Sequence, residues 1–205
     1  MLILASKSAA RRRLLQNAGL LIECQPAAID ERQTEALLAS HLETAEDSAR
    51  LLARAKALDV SRRNLTSPIV GADQTLLFEG RSLHKPSNFE EAILHLKSLR
   101  GATHKLVSGV ALARDGEVLW DHTEIAKLTM REISDSELDR IVSLEGEAIV
   151  DCVGAYRFEG PSIQLFDTIE GDYFTILGLP LLPLLAALRK HAPQSFDITQ
   201  RPLRK

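Results

Sequence analysis

Only two cysteines, Cys24 and Cys152, occur in the 205 residues. They are too few and too far apart for a disulfide framework or a structural zinc site, so two reduced thiols in a cytoplasmic protein are expected. Charge of one sign is also scarce. A net charge of -3 and a pI near 6.1 give no global attraction to nucleic acid or to an anionic membrane. Positive charge is clustered only at Arg11-Arg12-Arg13, so any anion must be met by a local site. Long apolar runs are missing as well: the most apolar stretch, Thr175 to Leu188, is shorter than a membrane span and contains Pro180 and Pro183. The apolar start Met1 to Ala5 is short and precedes the basic run, the reverse of the order in a secretory signal. No repeat and no linker divides the chain. The expectation is one domain over residues 1–205, with a polar, loose tail from 192 and neither nucleic acid nor membrane as partner.

What is present supports a packed core, with 45% hydrophobic residues. The organising stretch runs from Pro68 to Gly80 and on to His84-Lys85-Pro86. Ile69 and Val70 read as a strand, Gly71 permits close backbone approach, and Asp73 is expected where that strand ends. Leu76 to Phe78 resume the strand pattern, and Glu79-Gly80 reads as a turn toward Lys85. An acid and an ammonium on neighbouring strands can hold a metal and a phosphate side by side. An ordinary hairpin with a surface Asp and a surface Lys fits the same residues.

Along the chain, Leu2 to Leu4 read as a buried strand, residues 5–8 as a Ser-rich turn, and Ala9 to Ala18 as a helix. In that geometry hydroxyls and backbone N–H groups, with Arg11 in the first helical turn, can collect a phosphate, or Ser8 can simply cap the helix. Leu20 to Cys24 read as a strand. Asp30 and Glu31 can bind a metal or favour a following helix through its dipole. Helices are expected over Thr34 to His41 and Ala45 to Val60, the second with Ala45, Ala49, Leu52 and Ala55 inward, and Lys56 on that face either snorkelling or reaching a phosphate. A helix over Asn88 to Leu99, with Ser87 as cap, precedes a hairpin of Lys105 to Ala113 and Val118 to Thr129. Arg131 to Leu144 read as a helix with Ser134 or Asp135 as cap, Ala148 to Val153 and Ile163 to Ile169 as strands, and the last helix ends near His191. Gly154 to Gly160 is a glycine-bounded segment able to approach a ligand closely.

Taken together, Leu4-Ala-Ser-Lys-Ser8 with Arg11, Asp30-Glu31, Lys56-Ala57, Gly71-Ala-Asp73, Lys85-Pro86, Gly101 with His104, Gly154-Ala-Tyr156, Glu170-Gly171-Asp172 and Gly178-Leu-Pro180 resemble the Maf family. The pieces follow family order from residue 2 to about 188. The resemblance implies an α/β fold with an elongated mixed β-sheet flanked by helices and two lobes around a cleft, often as a homodimer. It implies hydrolysis of a nucleoside triphosphate to monophosphate and pyrophosphate with a divalent cation, magnesium or manganese. Carried over, Ser8, Arg11, Lys56 and Lys85 hold the triphosphate, Asp73 activates water or binds the metal, and Glu31 is a metal partner. Phosphoanhydride cleavage needs charge neutralisation and an oriented water more than covalent work, so this residue set suits it.

The chain departs from the family pattern at three places. Ser8-Ala-Ala-Arg11 stands where Ser-Pro-Arg-Arg is common, Cys152-Val153 replaces Lys-Ala, and Phe158-Glu159-Gly160 replaces Ile-Gln-Gly. A carboxylate at 159 only accepts hydrogen bonds and favours a cationic base, so Glu159, with Asp73-Gln74, resembles the branch that takes 7-methyl-GTP; Phe158 or Tyr156 could supply an aromatic face. This ranks 7-methyl-GTP above dTTP and UTP. The sole tryptophan, Trp120, falls in an expected hairpin and reads as structural. A second class of function is a catalytically impaired nucleotide-binding regulator of cell division, suggested by the altered first loop.

Overall fold

The computed structural model describes residues 1–38, 44 and 46–197. Strands β1 (Leu2–Leu4), β2 (Ile22–Cys24), β3 (Ile69–Phe78), β4 (Arg81–Leu83), β5 (Thr103–Arg114), β6 (Glu117–Met130) and β7 (Phe166–Glu170) form one mixed sheet. Its order is β2-β1-β3-β5-β6-β7, with β4 pairing to β3 off that path. Helices α1 (Ala9–Asn17), α2 (Glu31–Leu38), α3 (Asp47–Arg63), α4 (Phe89–Leu99), α5 (Asp135–Glu145), α6 (Tyr173–Ile176) and α7 (Leu181–His191) alternate with the strands. The fold is α/β. It divides into two compact units, the first of residues 1–73, 108–124 and the chain from Leu177, the second of residues 74–107 and 125–176.

In the first unit β1 pairs in parallel with both β2 and β3. A short strand between parallel neighbours is covered on both faces, which is why Leu2, Ile3 and Leu4 form an unbroken apolar run. The small-residue face of α3 then lies directly on the sheet. A Cβ added at Gly71 of β3 would overlap the Ala53 carbonyl oxygen and stand 2.6 Å from the Ala57 nitrogen. One added at Gly109 of β5 would overlap the Ala49 carbonyl. Ala49, Ala53 and Ala57 are wholly buried, so helix and sheet meet backbone to backbone. Ala55, expected inward, is only half-buried, and residues 39–43 and 45 lie outside the described residues.

The second unit encloses the larger apolar cluster. Ala92, Leu96 and Leu99 of α4, Leu138, Ile141 and Val142 of α5, and Leu106, Ala126, Leu128 and Met130 of the strands pack together. Both helices start on side-chain caps: Asn88 accepts from the Glu91 N–H, and Ser134 accepts from the Glu137 N–H. Asn88 therefore takes the role expected of Ser87, whose N–H and hydroxyl both bond the Glu91 carboxylate.

Three expectations are corrected. β3 does not end at Asp73 but continues without a break to Phe78, because it pairs with β5 and, from Leu76 to Phe78, with β4, while α3 packs on it at Gly71. Residues 146–151 form a 3-10 turn rather than a strand, and Pro161–Leu165 form another before β7 begins. The helix expected over Arg131 to Leu144 begins only at Asp135, after Ser134, one of the two caps expected for it, since Arg131 instead donates its N–H to the Leu165 carbonyl. Near the end of the chain, Pro193–Phe196 make a 3-10 turn, with the Arg189 guanidinium 5.5 Å above the Phe196 ring.

The close approach at Gly71 gives a direct test. Gly71→Ala is expected to lower unfolding free energy by at least ~2 kcal/mol, because the blocking atoms are helix backbone that cannot rotate away. Urea denaturation measures it; a change below about 0.5 kcal/mol would mean that α3 can rise off the sheet at little cost.

Candidate active site

Arg11 is aimed by the start of α1. Ser8 caps that helix, its Oγ accepting from the Arg11 N–H at 3.3 Å, and the Ser8 N–H in turn donates to Ser6 Oγ at 3.2 Å. The guanidinium donates from Nε to the Gly178 carbonyl (2.8 Å) and from Nη1 to the Ala72 carbonyl (2.9 Å) and Ser6 Oγ (3.3 Å). A guanidinium has five N–H donors, and among the described residues only Nε and Nη1 donate to partners, so Nη2 could take an anion. Burial lowers the pKa of Arg11, against the attraction of Asp73 and Glu31, which raises it. The group stays cationic regardless. No acidic residue sits in the first turn of α1, so nothing there competes for the positive end of the helix dipole.

Lys56 and Asp73 meet because α3 lies so close to β3. The ammonium is 2.6 Å from Asp73 Oδ1 and 2.8 Å from Glu31 Oε1. Lys56 and Asp73 are each only 7% exposed, whereas the Glu31 side chain is 58% exposed. The two neighbouring acids Asp30 and Glu31 thus separate into distinct roles. Asp30 accepts from the Gln33 N–H at 3.0 Å and caps α2, while Glu31 turns to Lys56. Ser8, Arg11, Glu31, Lys56 and Asp73 all belong to the first unit.

Burying an ion pair desolvates two charges, and such a pair seldom stabilises a fold more than well-packed apolar residues would. Its presence here is better explained by chemistry. Asp73 and Glu31 offer hard oxygen donors, the kind magnesium takes one or two at a time before completing its shell with phosphate oxygens and water. Among the described residues no group of three or more His, Cys, Asp or Glu is gathered. A cation held here would draw its remaining ligands from substrate and water.

Lys85 and Glu159 belong to the second unit. Lys85 is exposed just after β4, followed by the buried Pro86. Glu159 is exposed within the 157–160 turn. Beside it Phe158 is half-buried, its ring centroid 5.9 Å from that of Tyr173, which is itself 47% exposed. Gln74 plays a structural part: its side-chain amide donates to the Thr175 and Ile176 carbonyls, each at 3.1 Å.

Tyr156, expected as a possible aromatic face, is not available as one. It is 5% exposed, its hydroxyl lies 2.7 Å from His104 Nε2, and its ring stands edge-on to Phe166 at 4.8 Å. The close approach expected of Gly154 is likewise internal, since a Cβ there would run into the Tyr156 ring. Burial pushes His104 down to about 4 and holds the Tyr156 phenol well above its usual range, so both are neutral near pH 7. Burial also pushes the Cys152 thiol up to about 11; neither Cys152 nor the exposed Cys24 is in a disulfide. Trp120 stacks on His122 along β6, at 5.8 Å between centroids.

Ser6 and the Gly178 and Ala72 carbonyls complete the seat of Arg11 and were not singled out as its partners from sequence. The Ser6-Lys-Ser8 turn and Gly178-Leu-Pro180 were visible signals, but nothing in the sequence ties them to Arg11. A family model described as Maf-like protein matches residues 1–191. The chain belongs to that family. A Rhizobium etli relative named 7-methyl-GTP pyrophosphatase is 50% identical over 189 residues, covering 92% of this chain and 95% of that one. A Brucella abortus relative of the same name gives the same figures. A Nitrobacter winogradskyi relative named nucleoside triphosphate pyrophosphatase is 50% identical over 188 residues, covering 92% of each chain. Among solved structures, a nucleoside-triphosphatase, dITP/XTP pyrophosphatase, from Mycobacterium abscessus aligns over 98% of this chain and 99% of that one at 16% identity, with a TM-score of 0.41, too loose a likeness to bear on function. No helix among the described residues is long and apolar enough to cross a membrane.

In this Maf-like chain the buried His104 gives stability a pH signature. As pH falls below 6.5 the imidazole of the unfolded chain takes up a proton, while the folded one stays neutral until about 4. Stability should fall across that window by up to about 3 kcal/mol from this group, then level off. Urea titrations at several pH values should show a steeper loss for wild type than for His104→Gln. Parallel curves would mean that His104 protonates inside the fold.

Proposed function

We propose that the chain is a nucleoside triphosphate pyrophosphatase, hydrolysing its substrate to a nucleoside monophosphate and pyrophosphate. The observation that carries the reading is the buried Lys56 ammonium held between Asp73 and Glu31, with Arg11 fixed nearby on backbone carbonyls. A fold keeps two cations and two carboxylates in one small volume when it has polyanion chemistry to perform. In the reaction, a water oxygen bonds to phosphorus and the bridging P–O bond of the anhydride breaks, releasing pyrophosphate. Ser8, Arg11, Lys56 and Lys85 bind the phosphates, and the Arg11 Nη2 donors offer a two-pronged contact. Asp73 orients the water and accepts its proton, or binds the metal. The Lys56 ammonium, already bonded to Asp73, fixes the rotamer of that carboxylate before substrate arrives. Magnesium or manganese, held by Glu31 and Asp73, would neutralise charge on the triphosphate.

The preferred base is 7-methylguanine, ahead of thymine and uracil. N7-methylation makes the purine cationic, which suits the acceptor-only Glu159 and the Phe158 and Tyr173 rings beside it. The names borne by relatives at 50% identity favour the same base. A homodimer and a cytoplasmic location belong to this reading through family likeness. The alternative, a catalytically impaired regulator, loses its main support because Ser8 caps α1 and Arg11 keeps its seat despite Ala9 and Ala10.

Pyrophosphate release should be measured from 7-methyl-GTP, GTP, dTTP, UTP and CTP, with and without magnesium or manganese. Wild type should be metal-dependent and should prefer 7-methyl-GTP. Asp73→Asn should lose about 100-fold or more in turnover, and Lys85→Ala should weaken catalysis. Near-normal turnover by Asp73→Asn would remove the assigned mechanism; no release from any nucleotide by the folded wild type would favour the regulator.

A further inference from the structure

Glu145 sits where a carboxylate is electrostatically unwelcome. It is the last residue of α5, at the negative end of the helix dipole, and its side chain is 0% exposed. Two charge-assisted bonds compensate. Oε2 accepts from Arg157 Nε at 2.7 Å, and Oε1 accepts from the Ser162 N–H at 2.7 Å. Burial alone would raise the pKa of Glu145, but the Ser162 N–H and the Arg157 guanidinium outweigh it and leave it lowered, so the side chain is anionic at neutral pH.

One carboxylate therefore grips the chain at two points, 157 and 162, and the residues between them include Phe158 and Glu159. The segment lies flush on this anchor: a Cβ at Gly160 would come within 2.6 Å of Glu145 Oε1 and 3.2 Å of Arg157 Nη2. The Gly160 N–H donates to the Arg157 carbonyl at 3.1 Å and the Ile163 N–H to the Gly160 carbonyl at 3.1 Å, closing successive turns on either side. Local hydrogen bonds of this kind leave an exposed turn several conformations. The buried carboxylate ties both flanks of this turn to one fixed anchor.

We propose that Glu145 is a positioning residue for base recognition: through Arg157 and Ser162 it fixes the turn that presents Glu159 to a cationic purine, and so sets discrimination between 7-methyl-GTP and GTP. This rests on the reading of Glu159 as the base contact. Among the described residues the anchor's hydrogen bonds run to Arg157 and Ser162 and not to Ser8, Arg11, Lys56 or Lys85, so its effect is expected on substrate selection more than on the chemical step. Arg157 is the replaceable half of the anchor, because its side chain is 37% exposed and Glu145 keeps the Ser162 N–H without it.

The test compares kcat and KM on 7-methyl-GTP and GTP for wild type, Glu145→Gln, Arg157→Met, Arg157→Lys, Glu159→Gln and the Glu145→Gln/Glu159→Gln double variant. Glu145→Gln and Arg157→Met should each lower the kcat/KM ratio of 7-methyl-GTP over GTP by about tenfold, the scale of one lost charged contact, mainly through KM for the methylated substrate. Arg157→Lys should recover part of the ratio, and Glu145→Gln should add no further fall on a Glu159→Gln background. If Glu145→Gln fails to fold, Arg157→Met decides. A lowered Tm with the ratio intact, or additive losses in the double variant, would make the anchor merely structural and overturn the proposal. A wild type that hydrolyses both substrates equally would overturn the base reading together with this inference, whereas a wild type that releases no pyrophosphate would show that the proposed function itself had failed.

Discussion

The contact between the Lys56 ammonium and Asp73 depends on how near a helix can come to a sheet. Lys56 is on α3 and Asp73 is mid-strand in β3, and their 2.6 Å contact is possible because nothing larger than glycine or alanine separates the two backbones. Gly71 lies two residues before Asp73 on the same strand, and Ala57 is next to Lys56 on the same helix. The residues that permit the approach are thus sequence neighbours of those that use it. A bulkier wall would leave the same two charged groups in the chain but hold them too far apart to share a proton or a phosphate.

That arrangement stores an electrostatic tension. Lys56 satisfies Asp73, yet both are desolvated, and Glu31 reaches in from the exposed start of α2 as a second carboxylate for one ammonium. With Arg11 included, the group balances two positive against two negative charges. An entering triphosphate would add negative charge to that balance, which in the proposed reading Lys85 and a divalent cation would offset. Arg11 is held by backbone carbonyls instead, and it feels Asp73 and Glu31 only through their charge.

The sequence disclosed some of this geometry well and some of it badly, for identifiable reasons. Buried parallel strands such as Leu2 to Leu4, and the hairpin of Lys105 to Ala113 with Val118 to Thr129, announce themselves through unbroken apolar runs and turn chemistry. Asp73 misleads because Gly-Ala-Asp-Gln reads as a strand ending. Only the tertiary fact that β3 pairs with β5, and beyond Asp73 with β4 at Leu76 to Phe78, keeps the strand going past it. Ala148-Ile-Val is a short apolar run of the kind that periodicity cannot assign, and burial in the second core is satisfied as well by a 3-10 turn. The separate fates of Asp30 and Glu31 could not be read at all. A cap and a salt-bridge partner look alike until the helix start is known.

The two sets of groups also differ in how freely they can change. Ser8, Arg11, Lys56, Asp73 and Glu31 are bound to one another or to fixed backbone, so altering any one disturbs the others and the losses will not add simply. Glu159 is exposed on a turn, and exchanging its side chain removes no core contact. If Glu159 reads the base as proposed, base preference can drift at low structural cost while the Lys56–Asp73 group stays constrained. In the proposed reading, what limits that drift is the backbone of the turn, which Glu145 ties down at Arg157 and Ser162.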